Sequence, residues 1–157
     1  MRTVRKRSQA QEKKVAEQFN GRQVIASGSL WFADSDVRTD KFLIECKTTE
    51  KDYYSLTSKV WEKIEKEAIK DRMRIPLMAI DLQDKDRIIV FRLKDFESSD
   101  YNIGTEEIPK SMRLKLDGIN YDNGGYKVGI FCICGTKINV LCYMKVEDFI
   151  EVFKEEL

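Results

Sequence analysis

Ser35-Asp36-Val37-Arg38-Thr39-Asp40-Lys41-Phe42-Leu43-Ile44-Glu45-Cys46-Lys47 decides how the chain is read: an acid, a polar turn at Thr39-Asp40, then an apolar run carrying a Glu and a Lys two residues apart. In a β-strand, side chains i and i+2 share a face, which predicts Glu45 and Lys47 on one side and Ile44 and Cys46 on the other. Two charges then stand together at the end of a buried strand. Burying a charge is costly unless it is paired or holds a metal, so this placement calls for a reason. The polar turn makes the stretch a hairpin, with Asp36 brought toward the pair.

Outward from the hairpin, the spacing predicts a helix before it, capped by Ser8, with Val15, Ala16 and Phe19 as its apolar stripe and Gly21 as its stop. Residues 23–27 read as a short strand, Ser27-Gly28-Ser29 as a loop and Leu30-Trp31-Phe32 as an apolar patch. After the hairpin, Tyr53 and Tyr54 precede a helix over Ser58 to Arg72, in which Val60, Trp61, Ile64 and Ala68 recur at helical spacing. Pro76 marks its break. Leu77 to Leu82 and Ile88 to Leu93 follow as antiparallel strands around the turn Gln83-Asp84-Lys85-Asp86. Farther on, Phe96 to Pro109 is polar and reads as a surface connection, and Met112 to Leu116, Val128 to Cys134 and Ile138 to Met144 read as strands before a closing helix from Glu147. Trp31 and Trp61 are expected in the core, and Asp40 is expected as a turn residue.

Composition narrows the chemistry. At 157 residues and 42% hydrophobic content, one globular domain is expected. The N-terminal segment is charged and no apolar run reaches the length of a bilayer span, so neither membrane anchor nor signal peptide is expected and the location is read as cytoplasmic. Cys46, Cys132, Cys134 and Cys142 sit in apolar strands without C-x-x-C spacing and read as core thiols. Histidine is absent, which removes Ser-His-Asp and Cys-His nucleophiles, His-ligated zinc and His proton shuttles. Any enzyme must use carboxylates, lysine and a hard cation such as Mg²⁺ or Mn²⁺. The net charge of +1 hides a basic beginning: Arg2, Arg5, Lys6, Arg7, Lys13, Lys14 and Arg22 face only Glu12 and Glu17. Such a segment fits either phosphate contacts or a solvated surface.

Two carboxylates one hairpin apart are able to share a divalent ion that activates water, while a neighbouring ammonium stabilises charge on a phosphoryl group. The carbonyl of Cys46 supplies a further oxygen. A strand-end salt bridge, worth about 0–1 kcal/mol, accounts equally for the pair, and the residues alone leave both readings open.

The series Asp36, then Glu45-Cys46-Lys47 at the end of an apolar strand, resembles the D…(D/E)-x-K signature of the PD-(D/E)XK nuclease superfamily, with Ser35 in place of its usual proline. Within it, Holliday junction resolvases and their phage relatives carry a glutamate on the first helix, a Ser-Gly loop before the acid and aromatics after the lysine; Glu12, Ser27-Gly28 and Tyr53 or Tyr54 match these over residues 8 to 95. The helix glutamine of the family has no counterpart between Lys59 and Lys66, where Lys63 and Ser58 are the candidates for its role. The resemblance implies an α/β (α+β) fold with an αβββαβ core over residues 1–95 and a mixed sheet flanked by helices; residues 96–157, which it leaves unmatched, are expected from their own pattern as a β-rich extension ending in a helix and packed on the same domain.

It also implies a metal-dependent endonuclease. Asp36, Glu45, the Cys46 carbonyl and Glu12 would be its Mg²⁺ (or Mn²⁺) ligands, with Lys47 as catalytic cation and Ser27 at the scissile phosphate. Arg5, Lys6, Arg7, Lys13, Ser27 and Tyr54 would contact DNA. Glu17, five residues from Glu12, falls on another helix face. The implied substrate is branched DNA such as a four-way junction, cut by a homodimer. Sequence-specific or nicking cleavage on the same chemistry, and non-catalytic DNA binding on the same fold, are the alternatives.

Overall fold

The computed structural model describes residues 4–24, 35–96, 111–119, 127–133 and 137–157, with residues 127–133 and 137–139 described through their backbone alone. Ser27 and Trp31, and the loop and patch around them, lie outside these residues, as do Cys134 and all of the Phe96–Pro109 connection after Phe96. The fold is mixed α/β, a mixed sheet flanked by helices, as the sequence implied.

Helix α1 spans Val4–Gln18 and strand β1 Arg22–Gln23. Strands β2 (Val37–Arg38) and β3 (Phe42–Thr49) form the expected hairpin, in register Val37 with Ile44 and Arg38 with Leu43. Strand β4 (Tyr53–Thr57) runs into helix α2 (Ser58–Lys70), whose first turn is capped by the Thr57 hydroxyl accepting from the Val60 N–H. Strands β5 (Ile75–Leu82) and β6 (Asp86–Arg92) follow, then β7 (Ser111–Lys115), β8 (Lys127–Ile133), β9 (Lys137–Lys145) and helix α3 (Val146–Val152). Among the described residues, seven strands share one sheet in the order β1-β2-β3-β5-β6-β9-β8. Among the described strands, only the β3–β5 neighbours are parallel, because α2 makes the crossover between them. Strands β4 and β7 pair separately as a two-stranded ribbon.

Period-2 alternation splits the core between the two faces of the sheet. On one face, Ile44, Leu77, Ala79, Ile89, Phe91, Cys142 and Met144 pack with Val15, Ala16 and Phe19 of α1 and with Phe149 of α3. On the other, Met78, Ile80, Ile88, Val90, Leu141 and Tyr143 pack with Trp61 and Ile64 of α2 and with Leu56 and Leu114 of the ribbon. Cys46 and Cys142 are buried free thiols.

Several boundaries differ from the sequence reading, each for a physical reason. Helix α1 begins before Ser8, whose hydroxyl bonds Glu12 one turn on at 3.3 Å instead of capping the helix. Its end is turned by Asn20 at φ 51°, with the Gly21 N–H bonding the Ala16 carbonyl at 2.8 Å. Gly21 is needed for space: a Cβ there would lie 2.8 Å from the Arg38 carbonyl oxygen. Of the strand expected over 23–27, Gln23 is in place, joined by Arg22 in β1; Val24 lies outside the strand, and residues 25–27 lie outside the described set. Tyr53 and Tyr54 lie in a strand, because their partner β7 arrives from far along the chain. Helix α2 stops at Lys70, and Pro76 sits inside β5, one residue before its ladder with β6 begins at Leu77, where a missing N–H is tolerated. Phe96 is no surface residue: its ring stacks on Phe42 at 6.2 Å and meets Phe153 at 4.6 Å. Among the described residues no helix is long and apolar enough to cross a membrane.

Candidate active site

Strand β3 presents Glu45 and Lys47 on the α2 side of the sheet. Their charges pair, Lys47 Nζ to Glu45 Oε1, at 2.8 Å. Glu45 is 8% exposed, and its second oxygen, Oε2, is buried without a hydrogen-bond partner. Burial pushes the Glu45 carboxyl above the usual carboxylate range, against the opposing pull of Lys47. For Lys47, burial works to lower its pKa, but the bond and charge of Glu45 outweigh it, and the ammonium is held above its ordinary value.

Asp36 stands at the start of the β2 arm. Its Oδ2 accepts the Cys46 N–H at 2.8 Å, and its own N–H bonds the Ile44 carbonyl at 3.2 Å. Burial raises the Asp36 pKa, opposed by the Cys46 N–H and assisted by the charge of Glu12. The N–H and C=O of a strand residue leave on the same side, and Ile44 and Cys46 alternate with the residues between them. The Cys46 carbonyl therefore faces the edge on which Asp36 lies. The Cys46 thiol itself is pushed far up by burial and stays protonated, so its oxygen is the atom able to act as a ligand.

Glu12 of α1 is half-buried and bears electrostatically on both Asp36 and Cys46. Its oxygens accept from Ser8 at 3.3 Å and Gln23 at 3.4 Å. Glu17 is exposed on another face. Arg5, Lys13, Glu12 and Asp36 line one cleft between α1 and the β1–β2 edge. Arg7 is directed elsewhere, pairing with Glu50 at 2.7 Å and Asp84 at 3.6 Å, and Lys6 lies on the exposed side of α1. Tyr54 is half-buried, within electrostatic reach of Lys47 and Glu45, and burial raises its pKa. Lys63 sits 3.6 Å from Glu67, and Ser58 opens α2.

Two residues escaped the sequence reading. Glu67, on α2, accepts the Ser35 hydroxyl at 2.7 Å and acts electrostatically on both Asp36 and Glu45. Serine at position 35 thus ties the residue before the site's aspartate to α2. The signal was present: Glu67 falls three residues after Ile64, on the stripe where helical periodicity reserves a core position. Gln11 of α1 is 3% exposed and donates to the Lys47 carbonyl at 2.8 Å and the Ala79 carbonyl at 3.2 Å. It fixes the main chain of the lysine on which the site depends. A polar residue four positions before Val15 on the buried face was its trace in the sequence.

Beyond Glu45 and Lys47, a second cleft of about 570 Å³ runs along α2, lined among others by Lys59, Lys63, Lys66 and Glu67. Among the described residues no three His, Cys, Asp or Glu side chains stand close enough to form a metal cluster by themselves. The donor set nonetheless suits one hard cation: a buried unpartnered Glu45 Oε2, an aspartate held by one N–H, and a carbonyl on the same edge.

No protein-family model and no curated protein matches the chain. Among solved structures it is similar to Hjc, a Holliday junction resolvase from the archaeal hyperthermophile Archaeoglobus fulgidus, at 16% identity over 68% of this chain and 85% of that chain, with a TM-score of 0.43. The chemistry of the site rests on its own side chains.

Proposed function

We propose that the protein is a metal-dependent endonuclease acting on DNA, with branched DNA such as a four-way junction as substrate and a homodimer as the cutting unit. The observation that carries this reading is the Glu45 carboxylate, buried and bonded to Lys47 through one oxygen while the other has no partner. A buried unpaired acceptor costs about 1–3 kcal/mol, a cost that a bound cation would offset. The orphaned oxygen suits a cation, and Asp36, Glu45 and the Cys46 carbonyl are the residues that would hold Mg²⁺ or Mn²⁺, with Glu12 behind Asp36. Bound there, the ion would supply Lewis-acid neutralisation of the phosphoryl group and an acidified water.

The chain's own groups do the rest. Lys47 carries a fixed positive charge beside the reacting phosphate, where it stabilises the extra negative charge of the transition state. Glu45 keeps that ammonium protonated and in place, and Gln11 holds the strand from which it projects. The Cys46 N–H fixes the Asp36 carboxylate, and the Ser35–Glu67 bond fixes the backbone that leads to it. Ser27 would meet the scissile phosphate; Arg5, Lys6 and Lys13 would meet flanking ones, with Tyr54 supporting Lys47 from β4.

Purified protein, Mg²⁺ and a labelled four-way junction test the reading. Symmetric cleavage is expected, lost on chelation and in Asp36→Asn. Absence of cleavage, or an Asp36→Asn variant as active as the parent, overturns it. Linear duplex and flap DNA in the same assay separate branch selectivity from sequence-directed cutting.

A further inference from the structure

Apart from Tyr54, the β4–β7 ribbon takes no part in the nuclease reading. Its register places Tyr53 opposite Lys115, Tyr54 opposite Leu114 and Ser55 opposite Arg113. One face, with Tyr54, Leu56 and Leu114, is turned into the core. Alternation sends Tyr53, Ser55, Arg113 and Lys115 to the opposite face. There Arg113 lies over the Tyr53 ring at 4.3 Å, with Lys51 at 5.3 Å and Lys115 at 5.8 Å.

Three cations around one ring make a concentrated positive surface. Where other arginines are bound to carboxylates, as Arg38, Arg74, Arg87 and Arg92 are, Arg113 has no carboxylate partner among the described residues, and Lys115 has only Asp52 at 3.9 Å. The surface is also rigidly mounted. The Tyr143 hydroxyl, on the main sheet, donates to the Lys115 carbonyl at 3.1 Å and accepts the Lys115 N–H at 3.4 Å. It adjoins the site as well, since Tyr54, the next residue along β4, lies within electrostatic reach of Lys47.

We propose that this exposed ribbon face, Arg113 and Lys115 gathered on Tyr53 with Lys51 beside them, is a docking surface for the phosphodiester backbone of nucleic acid flanking the reacting phosphate. The choice of nucleic acid rests on the nuclease reading above; Arg113, without a carboxylate partner among the described residues and preorganised on Tyr53, is what makes the surface fit a polyanion. Aromatic support under a guanidinium limits the freedom it must give up on meeting a phosphate, and each phosphate so neutralised releases counterions.

Binding of a labelled junction and a labelled duplex, measured by anisotropy in chelator across a salt series, tests it without requiring cleavage. The double variant Arg113→Gln/Lys115→Gln changes only side chains on the solvent face and should melt as the parent does. Its affinity should fall about tenfold or more and its log–log salt slope should flatten by roughly 1.8, two phosphates at about 0.9 each. Lys51→Gln alone should flatten the slope by about half that. Unchanged affinity and slope in the double variant overturn the docking surface, whether or not the parent cleaves DNA. A parent that binds with these losses yet never cuts with Mg²⁺ keeps the surface and removes the nuclease reading instead. Equal binding of polyglutamate of matched charge overturns the assignment to nucleic acid.

Discussion

Two charge clusters built from the same kinds of residue behave in opposite ways. At the end of β6, Arg92 grips both oxygens of Asp95, each at 2.8 Å, and its remaining nitrogen bonds Glu65 of α2. For Arg92, burial works to lower its pKa, but these carboxylates outweigh it and hold the guanidinium charge above its ordinary value. At the end of β3, Lys47 meets one oxygen of Glu45, the other is orphaned, and Asp36 is held by a single N–H. The first cluster closes its own valences. The second leaves acceptors facing inward, with burial raising both carboxyl pKa values. Charge number does not separate them; a planar fork that fills two carboxylate oxygens does, and a point-charge ammonium leaves room for something else.

The largest effect should come from breaking the open cluster. Glu45→Gln is expected to lower cleavage by about 10²-fold or more, on the scale of losing a preorganised charge in a reacting site. The same variant should keep or raise the melting temperature, because it removes a poorly compensated buried charge. Loss of activity with loss of folding would erase the contrast. In the closed cluster the pattern reverses: Arg92→Met should cost about 3 kcal/mol in denaturant unfolding by stranding Asp95 and Glu65, with the site's metal affinity by calorimetry unchanged. Gln11→Ala, removing two bonds to buried carbonyls, should cost about 1–2 kcal/mol and lower kcat more than it raises KM, since it frees the main chain of Lys47. The smallest effect is in pH. Folded-state carboxyl pKa values raised above the unfolded ones mean that the native state binds more protons. The stability from Asp36 and Glu45 is therefore fully present below the ordinary carboxylate range and is lost as pH rises through their raised values. Thermal melts in chelator should show this decline in the parent and a weaker one in Glu45→Gln.

The hairpin, the two-residue spacing of Glu45 and Lys47, and the strands β5 and β6 were legible because each depends on local alternation and a turn. The side of the sheet that Glu45 faces was not, since it depends on α2 crossing over to place β5 parallel to β3. Glu67 and Gln11 reach the site from two different helices, and their partners, Ser35 and the Lys47 carbonyl, lie far away in sequence. Periodicity marks them as buried polar residues but does not name what they touch. The β4–β7 ribbon was hidden for the same reason: Met112 to Leu116 read as a strand, yet nothing local pointed to Tyr53 as its neighbour. The polar sequence after Phe96 points to a surface position, whereas its ring belongs to the cluster closed by Phe149 and Phe153.

The position of β9 carries a consequence for how the molecule is made. Ile88 to Arg92 of β6 pair with Leu141 to Lys145, so as a nascent chain emerges, an apolar strand waits with one edge open while everything between is synthesised. Neither face of the sheet can be sealed earlier, because Met144 and Phe149 complete one and Leu141 and Tyr143 the other. Folding is therefore expected to be slow, dominated by contacts between distant residues, and vulnerable to edge-to-edge association until the last strand docks. A ribosome stalled before residue 141 would hold a chain prone to aggregate, which makes the timing of its release part of what the sequence encodes.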